Sequence, residues 1–100
     1  MFSLKKGVIF EFTKEMMYAN WIVADVYEYH GYDTILTSGR DGSHMQGSKH
    51  YEGNAGDYRT RHISDEGTKV MIVEEIREAM TDDYDIIHHP THIHVEYDPK

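Results

Sequence analysis

Apolar residues recur along two stretches of the chain at the three- and four-residue spacing of an amphipathic helix. The first helix begins at Lys14, with Thr13 as its N-cap, and Gly31 can close it in a left-handed conformation. Ser64 or Asp65 can cap the second helix. The positions expected to face the core are Met16, Ala19, Ile22, Val23 and Val26 in the first helix, and Val70, Met71, Val73, Ile76 and Met80 in the second.

The segments between and after these helices have the composition of strands, with β-branched and aromatic residues bounded by turn residues. The last two strands are joined at Pro90. The expected strands cover residues 33–38, 53–63, 83–88 and 92–97, with a Gly- and Ser-rich loop over residues 39–48. This order of elements predicts an α+β fold with a small, mainly antiparallel sheet and two helices.

The length of 100 residues predicts a single domain over residues 1–100, for which we expect a monomer. The formal charge of −8 and the lack of a lysine- and arginine-rich stripe argue against nucleic acid as a partner. No window is long and apolar enough for a membrane span. Residues 1–6 lack the apolar stretch of a secretory signal, so we expect synthesis in the cytoplasm. The chain has no cysteine, so a transition metal would need histidine and carboxylate ligands.

Two short motifs supply such ligands. Residues 48–57 read Ser-Lys-His-Tyr-Glu-Gly-Asn-Ala-Gly-Asp, and residues 92–96 read His-Ile-His-Val-Glu. Because alternate residues of a strand share a face, His92, His94 and Glu96 point one way and their apolar neighbours point to the core. A zinc ion that activates water takes three protein ligands, and two imidazoles with a carboxylate are an established set.

The string S-x-H-x-x-G-x-A-x-D, followed by H-x-H-V-E, resembles the zinc D-Ala-D-Ala carboxypeptidases and L-alanyl-D-glutamate endopeptidases. These enzymes belong to the superfamily named for lysostaphin, D-Ala-D-Ala metallopeptidases and Sonic hedgehog. The resemblance runs from Thr37 to Glu96. It implies a hedgehog/D-Ala-D-Ala peptidase-like fold with one Zn²⁺ per chain, bound by His50, Asp57 and His94.

The resemblance also implies roles for residues around the metal. His92 corresponds to the group that orients or deprotonates the attacking water. Arg40 corresponds to the group that steadies the substrate's carbonyl or carboxylate, and Arg59 or Arg61 could serve instead. Glu96 could accept a hydrogen bond from a ligating imidazole, since metal-bound histidine usually donates its other ring N–H.

The motifs give less information about the roles of several other residues. Ser48 either hydrogen-bonds the substrate or initiates a turn. Some members of the family have an acidic base three positions before the last zinc ligand; this chain has Thr91 there, so the base must be His92. The remaining histidines are expected to be bystanders: His30, His44, His62, His88 and His89.

These features favour a zinc metallopeptidase that hydrolyses an amide bond in peptidoglycan stem peptides. An endopeptidase acting between L-Ala and D-Glu is favoured over a D-Ala-D-Ala carboxypeptidase, because a compact chain has little material to close one side of the site. The small size resembles that of a phage endolysin, which would degrade the cell wall after phage-type release. A non-catalytic zinc-binding module of the hedgehog type is the alternative, and a metal-dependent nuclease is a weaker one.

Overall fold

Five strands and two helices make up the part of the chain that the structure describes. The computed structural model describes residues 1–9, 13–39 and 53–99. The elements are, in chain order, β1 (Phe2–Leu4), α1 (Lys14–Tyr29), β2 (Thr34–Ser38), β3 (Ala55–Arg59), α2 (Glu66–Ala79), β4 (Tyr84–His88) and β5 (His92–Tyr97). Several residues considered above lie outside the described ranges: Arg40, His44, Ser48 and His50. Neither described helix is long and apolar enough to cross a membrane, in line with the prediction.

The strands pair in the order β1–β2–β3–β5–β4. β1 runs parallel to β2, and every other neighbouring pair is antiparallel. This confirms the predicted α+β fold with two helices and a small, mainly antiparallel sheet. The sequence does not predict β1, because three residues are too few to show an alternating pattern. β3 is shorter than predicted, because a turn closed by the hydrogen bond from the Ile63 N–H to the Thr60 carbonyl (2.9 Å) follows it.

Helix α1 begins and ends where the sequence predicts. The Thr13 Oγ1 accepts a hydrogen bond from the Met16 N–H at 3.3 Å, which satisfies one of the free N–H groups of the first turn. At the other end, Gly31 has a φ of 82°, and the Tyr32 N–H donates to the Tyr27 carbonyl at 3.0 Å. This is a Schellman ending. The helix buries Met16, Ala19, Val23 and Tyr27, and Ile22 and Val26 are partly buried.

Helix α2 has a predicted cap but turns a different face to the core. Hydrogen bonds from the Thr68 hydroxyl and N–H to the N-cap Asp65 lower the pKa of that carboxyl. Val70 and Met71, which are predicted to face the core, are 51% and 55% exposed. This prediction is wrong because the buried side of α2 includes Lys69. A search for apolar positions ignores this charged residue, although its aliphatic stem can be buried. The side chains that the helix buries are Lys69, Ile72, Val73 and Ile76.

Both helices pack on one face of the sheet. Tyr58, Ile93 and Val95 are fully buried against them and form the centre of the core with Leu36. The next residues along each strand point to the opposite face. We call this opposite face the site face, and its residues on β3 and β5 include Asp57, Arg59, His92, His94 and Glu96.

Two buried tyrosine hydroxyls connect α1 to β3. The Tyr27 hydroxyl donates to the Arg59 carbonyl at 2.9 Å, and the Tyr58 hydroxyl donates to the Asn20 Oδ1. Burial raises the pKa of both phenols, so both remain protonated donors at neutral pH. These bonds fix the strand that carries Asp57 relative to the helix layer.

Candidate metal centre

The two strands that carry predicted metal ligands are neighbours in the sheet. Their antiparallel register pairs Asp57 with His94 and Arg59 with His92. Because alternate residues of a strand share a face, these four side chains and that of Glu96 all lie on the site face. Two predicted ligands that are 37 positions apart in the chain are thereby brought together.

His94 is held between two carboxylates. Its Nδ1 lies 2.8 Å from the Asp57 Oδ1, and its Nε2 lies 2.8 Å from the Glu96 Oε1. The side chains of Asp57 and His94 are each 15% exposed, and that of Glu96 is 23% exposed. A contact between a carboxylate and the second ring nitrogen is the arrangement that orients a metal-binding imidazole.

The surroundings of His94 favour its protonated form. Burial lowers the pKa of this imidazole, but the hydrogen bonds and negative charges of Asp57 and Glu96 outweigh that effect, so the pKa of His94 is raised. Both ring nitrogens must donate to satisfy two carboxylates, which only the imidazolium can do. A metal cation that replaced the proton on Nδ1 would leave the Nε2–H to donate to Glu96. The donor set therefore fits a metal at Nδ1.

Gly53 and the start of α1 position the strand that carries Asp57. Gly53 has a φ of 76°, a left-handed conformation that glycine adopts without steric cost. Its carbonyl accepts a hydrogen bond from the Thr13 N–H at 3.2 Å, and the Thr13 hydroxyl donates to the Asn54 Oδ1 at 2.8 Å. On the β2 side, the Thr37 hydroxyl donates to the Asp57 carbonyl at 3.3 Å. The backbone around the carboxylate is thus held from two directions.

His92 contacts a second histidine across the β4–β5 hairpin. The His89 N–H donates to the His92 carbonyl at 2.9 Å, and the two rings stack with their centroids 4.5 Å apart. The Thr91 Oγ1 lies 3.4 Å from the His92 Nδ1. The sequence predicts only a bystander at position 89. The contact could have been predicted from the sequence. If Pro90 and Thr91 form a two-residue hairpin turn, positions 89 and 92 become cross-strand neighbours.

Arg59 lies across from His92 on the site face, whereas the resemblance favours Arg40 as the cationic group. The Nε of Arg59 is buried, and no hydrogen-bond acceptor among the described residues pairs with it. Arg61, the other alternative, is exposed in the turn after β3. Arg40 lies outside the described residues, as does Ser48. Only the pairing of β3 with β5 places Arg59 across from His92, and the sequence does not reveal this pairing.

An acidic group lies beside the site on β4, on β5 and at the residue after β5. Asp85, Glu96 and Asp98 can each place a carboxylate oxygen within 4.8 Å of the others. In the described ranges, they are the only group of three or more potential ligands that converge in this way. Oxygen-only sets suit calcium or magnesium better than zinc, and exposed acidic groups are common without an ion. We assign no metal site to them.

Two of the other histidines have partners within the fold. The His30 Nε2 contacts the Glu75 Oε2, which joins the end of α1 to α2. The His62 Nε2 lies 2.7 Å from the Asp33 carbonyl oxygen. Both contacts link neighbouring elements.

Comparison of the chain with protein-family models, curated proteins and solved structures returned no match. The resemblance to zinc peptidases therefore rests on the two motifs, and the candidate metal site rests on the arrangement of Asp57, His94 and Glu96.

Proposed function

We propose that the protein is a zinc-dependent hydrolase that cleaves an amide bond in peptidoglycan stem peptides. The observation that carries this proposal is the approach of the Asp57 Oδ1 to the His94 Nδ1, 2.8 Å apart on neighbouring strands. Imidazole nitrogen and carboxylate oxygen are ligand types that catalytic zinc uses. The resemblance supplies His50 as the third ligand. The chain has no cysteine that could offer a competing thiolate site.

Each residue around His94 has a distinct task in holding the ion. Asp57 and His94 would bind one zinc per chain together with His50. With zinc bound, Glu96 would accept the Nε2–H of His94 and so keep the lone pair of Nδ1 directed toward the ion. Bound zinc would supply a Lewis acid that polarises the amide carbonyl and lowers the pKa of the attacking water.

His92 is the residue that we propose as general base. It lies two residues before His94 on the same face, about 7 Å along the strand, within reach of a water that attacks a substrate beside His94. Its imidazole would take the proton of the water and return it to the leaving amine, so that no proton is gained or lost over the cycle. The stacking contact with His89 restricts the rotation of its ring.

The bond that we favour lies between L-Ala and D-Glu. An endopeptidase needs a groove that is open on both sides of the metal. The substrate implies action at the cell wall, which we propose the protein reaches by phage-type release. We propose that it acts as a monomer.

Hydrolysis of purified stem peptides, with and without the terminal D-Ala-D-Ala, tests the proposal. Mass spectrometry should show zinc-dependent cleavage between L-Ala and D-Glu, which a chelator abolishes. Release of free D-Ala alone would assign the carboxypeptidase activity instead. Stoichiometric zinc with no cleavage of either peptide would contradict a hydrolase and leave the hedgehog-type zinc-binding module.

A further inference from the structure

The outer side of helix α1 presents large apolar side chains to solvent next to strand β1. Trp21 is 75% exposed, and Met17 and Tyr18 are each 46% exposed. Leu4, at the end of β1, is 45% exposed. A contiguous patch of exposed apolar side chains marks an interaction surface, and tryptophan is enriched among the residues that dominate binding. These four side chains line a groove between α1 and β1, which we call the α1 groove, together with Phe2 and Ala24.

A set of positions on α1 has the spacing of a helix that pairs with another helix. The positions are separated alternately by three and four residues, which is the repeat of the seam between two packed helices. None of them belongs to the set that α1 buries in the core, so packing within the core does not account for the pattern. We call these positions the seam, and they are Lys14, Met17, Trp21, Ala24 and Glu28.

The two ends of the seam carry opposite charges. Lys14 is in the first turn of α1, and Glu28 is in its last turn. Trp21 lies midway between them, about 10 Å from each along the helix axis. Both charged side chains are exposed, and neither forms an ion pair with another described residue. Asp25 adds a second exposed carboxylate near the acidic end.

Strand β1 extends this polarity. Because β1 and β2 run parallel, α1 returns between them in the opposite direction, so its first turn lies near the end of β1. Lys5 and Lys6, the exposed residues that follow β1, are therefore at the same end of the α1 groove as Lys14. The surface is basic at one end, apolar at its centre and acidic at the other end. Such a surface is complementary to a copy of itself that is turned end for end.

We infer that two copies of this chain associate through the α1 groove, about a two-fold axis beside Trp21. A two-fold pairing brings the same surface of each copy together, so the two α1 helices run antiparallel and Trp21 lies against the partner's Trp21. Because Lys14 and Glu28 are equally far from Trp21, each Lys14 then lies beside the partner's Glu28. A parallel arrangement would set Lys14 against the partner's Lys14, which charge repulsion disfavours.

Charge also favours a second copy over other occupants of the α1 groove. The carboxylates of Asp25 and Glu28 would be repelled by the anionic lipids of a membrane surface. An uncharged apolar partner would leave the charges at both ends of the seam without counterparts. A second copy supplies an opposite charge at each end and an apolar surface at the centre.

The small extent of the surface predicts a weak dimer. Helix α1 has 16 residues and is about 24 Å long, and β1 contributes three residues. Weak and transient complexes have interfaces of this limited size, so we expect a Kd of about 10 to 100 µM. Single chains predominate below that concentration and remain the form that acts on the substrate, as proposed above.

The dimer leaves the candidate metal centre accessible. Strand β2 separates β1 from β3 and β5, and the site face points away from the helices. Each copy therefore retains its own site, and the inference does not depend on the proposed function.

Analytical ultracentrifugation of the full chain tests the association. From about one tenth to about ten times the expected Kd, the mass should rise from that of one chain toward that of two. Trp21 is the only tryptophan in the chain, so its fluorescence should shift to shorter wavelength over the same range as the dimer buries it. Trp21→Ala should raise the Kd by about 10-fold or more. Tyr29→Ala, at an 82% exposed aromatic residue of the same helix, should keep the wild-type Kd.

Exchange of the end charges tests the two-fold orientation. Lys14→Glu and Glu28→Lys each set like charges against one another at both ends of the dimer, so each should raise the Kd by about 3- to 10-fold. The double variant restores opposite charges and should return the Kd to near that of the wild type. Glu78→Lys makes the same change in net charge as Glu28→Lys at an exposed position on α2, and it should not weaken association.

A mass of one chain at every concentration would overturn the inference, and so would a dimer whose Kd is unchanged by Trp21→Ala. A dimer that the double charge variant fails to restore would overturn the two-fold pairing. Binding of single chains to vesicles of phosphatidylcholine and phosphatidylglycerol through Trp21 would assign the α1 groove to a membrane surface instead. The charge variants replace only exposed side chains, so they decide the question even if Trp21→Ala does not fold.

Discussion

Asp57 and His94 are register partners on two antiparallel strands, and the Oδ1 of one lies 2.8 Å from the Nδ1 of the other. The backbone ladder between β3 and β5 therefore sets the distance between two candidate ligands. A metal that bridged them would link the two strands through their side chains as well. Because its affinity for the folded state adds to the free energy of unfolding, zinc should stabilise this pairing.

We expect one tightly bound zinc per chain, and loss of that zinc when Asp57, His94 or His50 is replaced by Ala. Free zinc at 1,000 times its Kd adds about 4 kcal/mol to the free energy of unfolding, and the variants should lose this gain. Elemental analysis of gel-filtered protein and denaturant unfolding with and without chelator measure both effects. His88→Ala, at the exposed end of β4, should retain zinc. Stoichiometric zinc in His94→Ala would remove that residue from the site.

Glu96→Ala should weaken zinc binding by about 10- to 100-fold without abolishing it, because the variant loses the acceptor that orients His94. Competition with a chromogenic chelator measures the affinity. Glu96→Gln retains an oxygen acceptor and should lose less. Glu78→Ala, an exposed substitution on α2, is the control. An unchanged affinity in Glu96→Ala would show that its contact with His94 does not support the metal.

The metal-free protein should lose stability as the pH rises. Hydrogen bonds to Asp57 and Glu96 raise the pKa of His94 above its usual value of 6.5. Protonation therefore favours the folded state; this contribution is complete below pH 6.5 and disappears as the pH passes the raised pKa. Urea unfolding of chelator-treated protein at a series of pH values measures the trend, and His94→Gln should remove this component. Zinc binding should show the opposite dependence, since the ion competes with a proton for Nδ1.

His92→Ala should retain zinc and lose about 10²- to 10⁴-fold in turnover, the range typical for a positioned general base. Stem-peptide hydrolysis and elemental analysis on the same preparation separate the two properties. His88→Ala serves as the control, because it removes a histidine of the same hairpin that alternation directs to the other face. Turnover at the wild-type rate would transfer the role to Glu96 or to water activated by the metal alone.

Tyr58→Phe should lower the free energy of unfolding by about 1–3 kcal/mol, because it leaves the Asn20 Oδ1 buried without the hydroxyl that now donates to it. Asn20 is 5% exposed and Tyr58 is fully buried. Tyr29→Phe, at a tyrosine that is 82% exposed, should change stability little. Equal stability of wild type and Tyr58→Phe in denaturant unfolding would contradict a contribution from this bond.

Local signals predict much of the fold because they act over a few residues. Thr13 and Gly31 mark the ends of α1, since capping involves only the neighbouring turn. The alternation through Ile93 and His94 assigns each side chain of β5 to a face, since a strand repeats every two residues. The stripe of α2 is misplaced because Lys69 is charged, yet its aliphatic stem is buried.

The sequence by itself determined which side chains are available to bind a metal and, for those on β3 and β5, which face of the strand they share. Only the tertiary structure decided their neighbours: β5 places His94 beside Asp57 and sets Arg59 across from His92. The order and register of strands depend on contacts between residues far apart in the chain, and a local pattern does not encode the partner of a strand. For this reason Asp57 and His94 could be named from their motifs, whereas the position of Arg59 directly across from His92 emerged only from the folded sheet.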